Sequence, residues 1–346
     1  MDVYRIDPLT DPRWAALVAR HPKASIFHTP GWIAALHDTY GYEPMAYTTS
    51  PPGRDLACGI PFCRIRTWLT GKRLVSLPFS DHCAPLVDSQ EALDAILASL
   101  QRELQKENWK YVEMRPLASS LPIRSDFSRT EAFVLHTLDL RPGVRALFHG
   151  LHKDCVQRKI QRAERVGLSC EWGNSESLLR KFYSLLLKTR RRHGLPPQPL
   201  QWFRNMIECL GKAVRIRIAS KDASPVAAML TLVHGDTLVY KYGGSDERFN
   251  SLGGTQLLFW TAIEDACSDG LAVFDLGRSD LDNPGLITFK DRLGAARSPL
   301  QYFRCSLSPL PAVARTWPRT FAKYCFARTP NPFLAAAGRL LYRHIG

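Results

Sequence analysis

One order of predicted elements occurs twice in this sequence: a pair of strands, a helix, and a strand that carries an acidic residue. In the first half, apolar positions recur at helical spacing over 93–104, and the next strand carries Glu113. In the second half, a meander over 214–242 precedes a helix and a strand that carries Asp275. The two acids lie 162 positions apart. The repeat favours an internal duplication of an α/β unit, with chance similarity of two such segments as the alternative.

The length and charge of the chain limit its organisation and its partners. Its 346 residues suit two domains of about 150 residues and a tail. Hydrophobic residues at 45% and charged residues at 23% are typical of a globular protein rather than a disordered one. A net charge of +14 favours partners that carry phosphate, such as tRNA, coenzyme A, nucleotide sugars, lipid phosphates or an anionic membrane. Charge alone does not choose among them.

Metal sites, disulfides and membrane spans receive no support from the sequence. The nine cysteines form no CxxC pair, and His149 and His152 have no carboxylate at ligand spacing, so we expect no metal. The first residues lack the basic and apolar regions of a secretory signal, and no run of about 18 apolar residues occurs. We therefore expect a cytoplasmic protein, with peripheral contact to the inner face of the cytoplasmic membrane.

The loop before the second helix is a candidate phosphate site. Arg248, Ser251, Gly253 and Gly254 lie between the meander and the helix, where backbone N–H groups and the positive helix end can receive a donor phosphate. The spacing is similar to the Arg/Gln-x-x-Gly-x-Gly/Ala loop with which acetyltransferases hold the pyrophosphate of coenzyme A, although Ser251 stands where the first glycine belongs. An ordinary glycine-rich helix start is the alternative.

Two tyrosines and two basic segments add further candidates. Tyr240 and Tyr242 alternate on one strand, so we expect both phenols on one side of it, either in the site or packed in the core. The segments 152–165 and 188–192 are either solvated helix faces or a track for the phosphates of tRNA or a nucleotide-linked precursor. No Gly-x-Ser-x-Gly turn, P-loop or dinucleotide-binding turn is present, which favours direct transfer over a covalent enzyme intermediate.

Several motifs together resemble the Fem family of aminoacyltransferases. The runs 239–246, 274–278 and 285–295 are similar to the catalytic half of these proteins, and 26–32, 77–82 and 189–194 are similar to their other motifs in the same order. The resemblance extends to about Arg304. It implies an α/β (α+β) fold of two tandem acetyltransferase-like (GNAT) domains, with mixed sheets flanked by helices. The expected boundaries are 1–148 for the first domain, 149–306 for the catalytic domain and 307–346 for a tail.

The same resemblance assigns roles to individual residues. Phe289 and Lys290 match the family's Phe-Lys pair, so Lys290 is expected at the centre of acyl transfer, with Phe289 in contact with substrate. Asp275 ends a strand beside the expected cleft and could accept a proton or orient the amine, whereas Arg278 could hold a carboxylate or phosphate. Tyr242 is the third catalytic candidate, and Tyr240 is a further candidate for substrate binding. A solvated lysine and an Asp275–Arg278 structural ion pair are the alternatives.

The function implied is N-acyl transfer. A FemAB-like enzyme would move an acyl or aminoacyl group onto an amine of a cell-envelope precursor, either a peptidoglycan peptide or an amino sugar of an exported polysaccharide. No tightly bound cofactor is expected, and aminoacyl-tRNA and acyl-coenzyme A both stay open as donor. The alternatives are an acyl-coenzyme A-dependent N-acetyltransferase for another amine and a non-catalytic GNAT-fold binding protein in envelope polysaccharide biosynthesis.

The tail carries a charge pattern of its own. Residues 307–346 contain arginine, lysine and histidine but no acidic residue, together with several prolines and interleaved aromatic side chains. Such a segment is typical of a contact with an anionic membrane surface. The alternative is that the aromatic residues pack back onto the first domain.

Overall fold

The chain folds into two units, each containing β-strands with flanking helices. The structure is a computed structural model that describes residues 1–118, 120–307 and 325–345. Among these, residues 1–133, 299–307 and 341–345 form the first unit, and residues 134–298 and 325–340 form the second. The prediction of two tandem α/β domains is confirmed.

The first unit is built on a sheet with the strand order β1-β2-β3-β4-β5-β12. Its strands are β1 (Tyr4–Ile6), β2 (Glu43–Thr48), β3 (Ile60–Thr67), β4 (Gly71–Val75), β5 (Val112–Met114) and the end of β12 (Ala296–Cys305). Neighbouring strands are antiparallel, except that β4 and β5 are parallel. A crossover helix between β4 and β5 explains that exception.

The helices of the first unit follow the capping signals in the sequence. They are α1 (Pro12–Arg20), α2 (Pro30–Tyr40) and α3 (Gln90–Lys106). The side chain of Thr29 caps the first turn of α2, and Gly41, at φ 68°, ends it in the left-handed conformation that glycine adopts without strain. The α3 helix begins after Ser89, and its leucine and isoleucine face is buried in the core, as its spacing predicts.

The second unit has the strand order β6-β11-β10-β9-β8-β7. Its strands are the end of β6 (Ser128–Asp139), β7 (Ser169–Gly173), β8 (Val214–Lys221), β9 (Ser224–His234), β10 (Thr237–Ser245) and β11 (Val273–Asp280). Its helices are α4 (Val144–Gly150), α5 (Arg158–Arg165), α6 (Glu176–Arg192), α7 (Leu200–Leu210), α8 (Gly254–Ser268), α9 (Pro284–Asp291) and the first part of α10 (Asn331–Ile345). The predicted meander is β8-β9-β10, and α8 then places β11 parallel to β10.

The two units repeat one arrangement around their acidic residues. In the first, α3 connects β4 to β5, and Glu113 pairs with Val75 in a parallel ladder. In the second, α8 connects β10 to β11, and Asp275 pairs with Val239 at the corresponding position. Each acid therefore lies on the strand that follows the crossover helix, which agrees with the internal duplication inferred from the sequence.

The unit boundaries differ from those expected. The division falls after Phe133 rather than after residue 148, because Leu138, Leu140 and Leu147 belong to the core of the second unit. At the other end, 299–307 belongs to the first unit, and Phe303, Arg304 and Cys305 pair there with β5. Of the predicted tail, 308–324 lies outside the described residues, whereas α10 lies inside them. Within the described parts of the chain, no helix is long and apolar enough to cross a membrane.

Candidate active site

The parallel ladder between β10 and β11 ends partway along both strands. The pairs run from Thr237 with Val273 to Val239 with Asp275. Both strands continue, to Ser245 and Asp280, but over the described residues the ladder ends at the Val239 pair. A bulge between Tyr240 and Tyr242 changes the register of β10 against β9 immediately afterwards. Beyond this point, one edge of β10 is therefore no longer paired with β11. Bulges of this kind are common beside active sites.

A cavity of about 220 Å³ lies where the two strands separate. One wall is the backbone of β10 from Gly243 to Ser245, and the other walls come from β9, α6, α8 and α9. Its side chains are mostly apolar: Ala228, Met229, Tyr240, Leu258, Phe259, Leu286 and Phe289, with Thr189 and Thr255 as polar members. An apolar slot beside an unpaired strand edge suits an extended ligand with an apolar end.

Two glycines keep the backbone wall of this cavity bare. A Cβ atom at Gly243 would lie 2.2 Å from the hydroxyl of Tyr240. At Gly244 it would lie 2.7 Å from the backbone of Leu185 and Leu186 in α6. Any side chain at Gly244 would push α6 away from the strand, so this residue permits the close approach of helix and sheet.

The two candidate tyrosines contact different helices. Tyr240 lines the cavity with its ring 4.9 Å from that of Phe259 in α8, and burial raises its pKa to about 12. The hydroxyl of Tyr242 instead accepts a hydrogen bond of 3.0 Å from the indole of Trp202 in α7. The expected placement of both phenols on one side of β10 is wrong, because the bulge between them interrupts the alternation of the strand.

Lys290, Asp275 and Arg278 meet at Gly277, a residue of β11 with a φ of 71°. A carboxylate oxygen of Asp275 accepts a hydrogen bond of 2.7 Å from the N–H of Gly277. The Lys290 ammonium donates to the carbonyl oxygens of Gly277 at 2.8 Å and Arg278 at 3.0 Å. Lys290 and Asp275 are only 2% and 4% exposed. The predicted catalytic pair is therefore brought together, and Lys290 is not a solvated surface lysine.

Phe289 and Lys290 are neighbours in α9 with different surroundings. Phe289 lines the cavity and packs edge-on against Phe259, with ring centroids 5.3 Å apart. Among the described residues that line the cavity, Lys290 is absent. Any effect of the ammonium on a ligand in the cavity must therefore act through its charge or through the β11 backbone that it binds.

A histidine that the sequence did not single out lies beside Lys290. His136, on β6, is fully buried, and its Nε2 is 3.3 Å from a carboxylate oxygen of Asp291. Burial lowers the pKa of His136, and the charge of Lys290 lowers it further. Arg297 donates to the same oxygen of Asp291 at 2.7 Å and lowers the pKa of that carboxyl. A single histidine in an alternating strand carries no motif, so the sequence could not identify it.

The predicted donor loop is more closely packed than an open phosphate cradle. Residues Glu247–Leu252 form a 3₁₀ helix, and Arg248 pairs with Asp246 at 2.7 Å. Gly253 and Gly254 are buried, and a Cβ atom at Gly253 would lie 2.2 Å from the carbonyl oxygen of Lys159 in α5. Ser251 is exposed. The two glycines thus permit close packing at the start of α8, and their role in phosphate binding stays a prediction.

A basic cleft of about 360 Å³ adjoins the apolar cavity. Ser245 lines both, and its backbone N–H donates to the hydroxyl of Thr189 at 2.8 Å. The cleft is lined by Lys188, Arg191, Arg192, Ser245, Asp246, Glu247 and Arg248. Hydrogen bonds from Arg248 and Lys188 hold the pKa of Asp246 well below its usual range. Four cations against two carboxylates leave this cleft positive, which favours an anionic ligand.

Comparison with known proteins agrees with this geometry. Residues 152–290 match the family model described as an acetyltransferase (GNAT) domain. The structure of FemX superimposes with a TM-score of 0.67 at 14% identity, covering 89% of this chain and 98% of FemX. The chain has the tandem GNAT fold. No curated protein matches it in sequence.

Two other solved structures are also similar. A tandem GNAT protein from the clavulanic acid biosynthesis pathway gives a TM-score of 0.53 at 12% identity, covering 90% of this chain and 99% of the other. The C-terminal domain of a protein described as a lysylphosphatidylglycerol synthetase, from Agrobacterium fabrum, gives 0.56 at 13% identity, with coverage of 85% and 91%. These likenesses concern the fold.

For the described residues, no group of three His, Cys, Asp or Glu side chains could hold a metal ion.

Proposed function

We propose that this tandem GNAT protein is an N-acyltransferase that moves an acyl or aminoacyl group onto an amine of a cell-envelope precursor. The acceptor would be a peptide or an amino sugar. The proposal rests on the end of the β10–β11 ladder beside an apolar cavity that shares Ser245 with a basic cleft. The Fem-like motifs of the sequence suggest an envelope precursor as acceptor, and the FemX structure shares the fold.

The two adjoining spaces suit the two ends of an activated donor or a phosphate-bearing acceptor. In the apolar cavity, the edge of β10 at Gly243 can hydrogen-bond an extended chain, and the walls from α8 and α9 can hold an acyl or aminoacyl group. In the cleft, Lys188, Arg191 and Arg192 can bind phosphate. Either aminoacyl-tRNA or acyl-coenzyme A has this combination of an acyl end and phosphates.

The reaction we propose is a direct transfer. The amine nitrogen attacks the donor carbonyl carbon, a C–N bond forms, and the ester bond of aminoacyl-tRNA or the thioester bond of acyl-coenzyme A breaks. The proton lost by the amine passes to the leaving group. In this proposal Asp275 accepts the amine proton, and Tyr240, whose phenol stays protonated at neutral pH, donates its own proton to the leaving group. The proton held by Asp275 then restores the Tyr240 phenol. The positive charge of Lys290 stabilises the developing oxyanion.

The other candidate residues have supporting roles in this proposal. Phe289 forms a wall for the donor, and Arg278 holds a carboxylate or phosphate of the acceptor. Tyr242 acts through packing and its hydrogen bond with Trp202. The donor loop residues Arg248, Ser251, Gly253 and Gly254 stay candidates for phosphate contact. The tail 307–346 stays a candidate for peripheral membrane contact.

A cavity-filling variant tests the proposed site. Leu286 is half-buried at the wall of the cavity, so Leu286→Trp should fill the space without breaking the fold. Leu281→Trp is the matched control, because Leu281 is 59% exposed and lies outside the described cavity lining. We expect Leu286→Trp to lose at least about tenfold in transfer of a labelled acyl or aminoacyl group, as detected by mass spectrometry. Equal activity of the two variants would place the reaction elsewhere.

A ligand panel distinguishes the donors. Any ligand that binds the folded chain alone stabilises it by about 2.7 kcal/mol at 100 times its dissociation constant. We expect thermal stabilisation by either aminoacyl-tRNA or acyl-coenzyme A, and transfer to an amine with the same donor. Stabilisation by nucleotide sugars or lipid phosphates alone, without transfer from any donor, would instead indicate the non-catalytic binding protein.

A further inference from the structure

The connection between β3 and β4 presents two large apolar side chains to solvent. Trp68 is 88% exposed and Leu69 is 53% exposed, both on the three-residue turn between Thr67 and Gly71. Gly71 has a φ of 80°, the glycine position of a hairpin with a bulged turn. An exposed tryptophan at the tip of a hairpin contributes nothing to the core, so its position needs another explanation.

Internal contacts hold this turn in a fixed shape. The hydroxyls of Thr67 and Thr70 are 2.6 Å apart, and the Thr70 N–H donates to the Thr67 hydroxyl at 3.1 Å. Arg73, on β4, donates to the backbone carbonyl of His344 at 2.8 Å, near the end of α10. The His344 ring lies edge-on to that of Trp68, with centroids 5.7 Å apart. The apolar tip is therefore presented on a braced turn.

Three exposed cations surround the tip. Arg66 and Lys72 lie directly opposite each other on β3 and β4, one pair back from the turn. The Lys110 side chain crosses Gly71, within 2.6 Å of where a Cβ atom there would be. Over the described residues, none of the three cations forms an ion pair. Like charges placed directly opposite on a sheet are destabilising, so an external anion would relieve the repulsion between Arg66 and Lys72.

We propose that this hairpin docks the first unit on an anionic lipid bilayer. Trp68 and Leu69 enter the interface between headgroups and acyl chains, while Arg66, Lys72 and Lys110 bind lipid phosphates. Tryptophan favours that boundary because one part of the ring is apolar and its N–H is polar. The surface, which we call the Trp68 hairpin, consists of these five residues.

The arrangement favours a membrane over a second copy of the chain. In a twofold symmetric dimer formed through this tip, the three cations of each copy would face the three of the other and repel. A bilayer containing anionic lipids supplies both an apolar phase and negative charge. The inference does not depend on the proposed transferase activity, although docking there would bring the enzyme close to lipid-linked acceptors.

Vesicle flotation with the full chain tests the proposal. We compare neutral phosphatidylcholine vesicles with vesicles of equal parts phosphatidylcholine and phosphatidylglycerol. The unchanged protein should bind the anionic vesicles, and its binding should weaken as salt rises from about 0.05 to 0.5 M. The double variant Trp68→Ala with Leu69→Ala should bind roughly tenfold more weakly, since it removes most of the inserted apolar area. Arg66→Gln with Lys72→Gln should also bind more weakly.

Trp172→Ala is the matched control, because Trp172 is 61% exposed and lies on β7 of the second unit. It should bind vesicles like the unchanged protein. Unchanged binding by the Trp68 and Leu69 double variant would overturn the proposal and assign any membrane contact to another surface, such as the tail. A concentration-dependent dimer that this double variant abolishes, without vesicle binding by the unchanged chain, would assign the hairpin to a second copy instead.

A spectroscopic readout separates insertion from simple electrostatic attachment. Lipids brominated on their acyl chains quench tryptophan fluorescence at short range. We expect part of the fluorescence to be quenched on binding, and Trp68→Phe to remove that part while still binding. Equal quenching in both proteins would show that Trp68 does not enter the bilayer.

Discussion

Replacing Lys290 by methionine separates the catalytic role that we propose for it from its structural one. Methionine keeps most of the buried stem but removes the ammonium that donates to the carbonyls of Gly277 and Arg278. A buried carbonyl that loses its donor costs about 1 to 3 kcal/mol. Two such losses are partly offset, because the variant no longer buries a charge. We therefore expect the free energy of unfolding to fall by about 2 kcal/mol.

The same change should slow transfer by more than the loss of stability explains. Removing one preorganised positive group from a developing oxyanion typically costs on the order of 100-fold in rate. Urea denaturation would measure the free energy of unfolding, and single-turnover transfer would measure the rate at a temperature where both proteins are folded. For a unit of this size, about 2 kcal/mol corresponds to a fall of roughly 4 to 8 °C in melting temperature.

Two controls make the comparison decisive. Ile218→Val, in the fully buried core of β8, should lose about 1 kcal/mol without a loss of rate. Lys212→Met changes an exposed lysine outside every candidate site and should alter neither quantity by much. If Lys290→Met lost stability but kept its rate, Lys290 would be a structural clamp on β11 alone. An unchanged stability would refute the inference from the two carbonyl contacts.

Three further predictions follow from the structure. Asp275→Asn should keep the contact with Gly277 through its amide oxygen, changing stability by less than about 1 kcal/mol while transfer falls at least about tenfold; a large fall in melting temperature would favour a structural role. Glu113→Gln should destabilise the first unit by about 3 to 5 kcal/mol, because it leaves Arg115 and Arg304 without their carboxylate partner. Urea denaturation would measure this loss in the free energy of unfolding. The free energy of unfolding should fall as the pH drops below 6.5, because unfolded His136 binds a proton that the buried ring, with its lowered pKa, does not. His136→Gln should make this fall shallower. An unchanged slope of the free energy of unfolding against pH would assign the fall to other groups.

Periodicity and capping in the sequence accounted for the elements of the fold. The leucine spacing of α3, the meander from β8 to β10 and the parallel placement of β11 follow from local patterns that tertiary packing reinforced. The convergence of Asp275 and Lys290 was predicted only through resemblance, because fifteen positions separate them along the chain. Their meeting point is Gly277, whose positive φ has no signal beyond a single glycine.

Three features depend on long-range geometry and so could not be predicted from the sequence. The bulge after Tyr240 changes the register by one residue, which no propensity scale predicts, and it separates the two phenols. His136 meets Asp291 across 155 positions, so the pair exists only in the folded chain. The assignment of residues 138–147 to the second unit depends on which core their leucines enter, and apolar spacing is the same in either case.

The two corresponding acids are held in ways that suggest different uses of the two units. Glu113 is bound by Arg115 at 2.8 Å and by Arg304 at 2.5 Å, and Arg115 also donates to the carbonyls of Leu77 and Ser80. These charges neutralise the buried carboxylate and lower its pKa although burial opposes them. Asp275 accepts a hydrogen bond from the N–H of Gly277 in its own strand. A carboxylate fixed between two guanidinium groups is poorly placed to exchange protons with a substrate, because losing its charge would leave both cations uncompensated. We therefore expect Glu113 to stabilise the first unit rather than to take part in the chemistry.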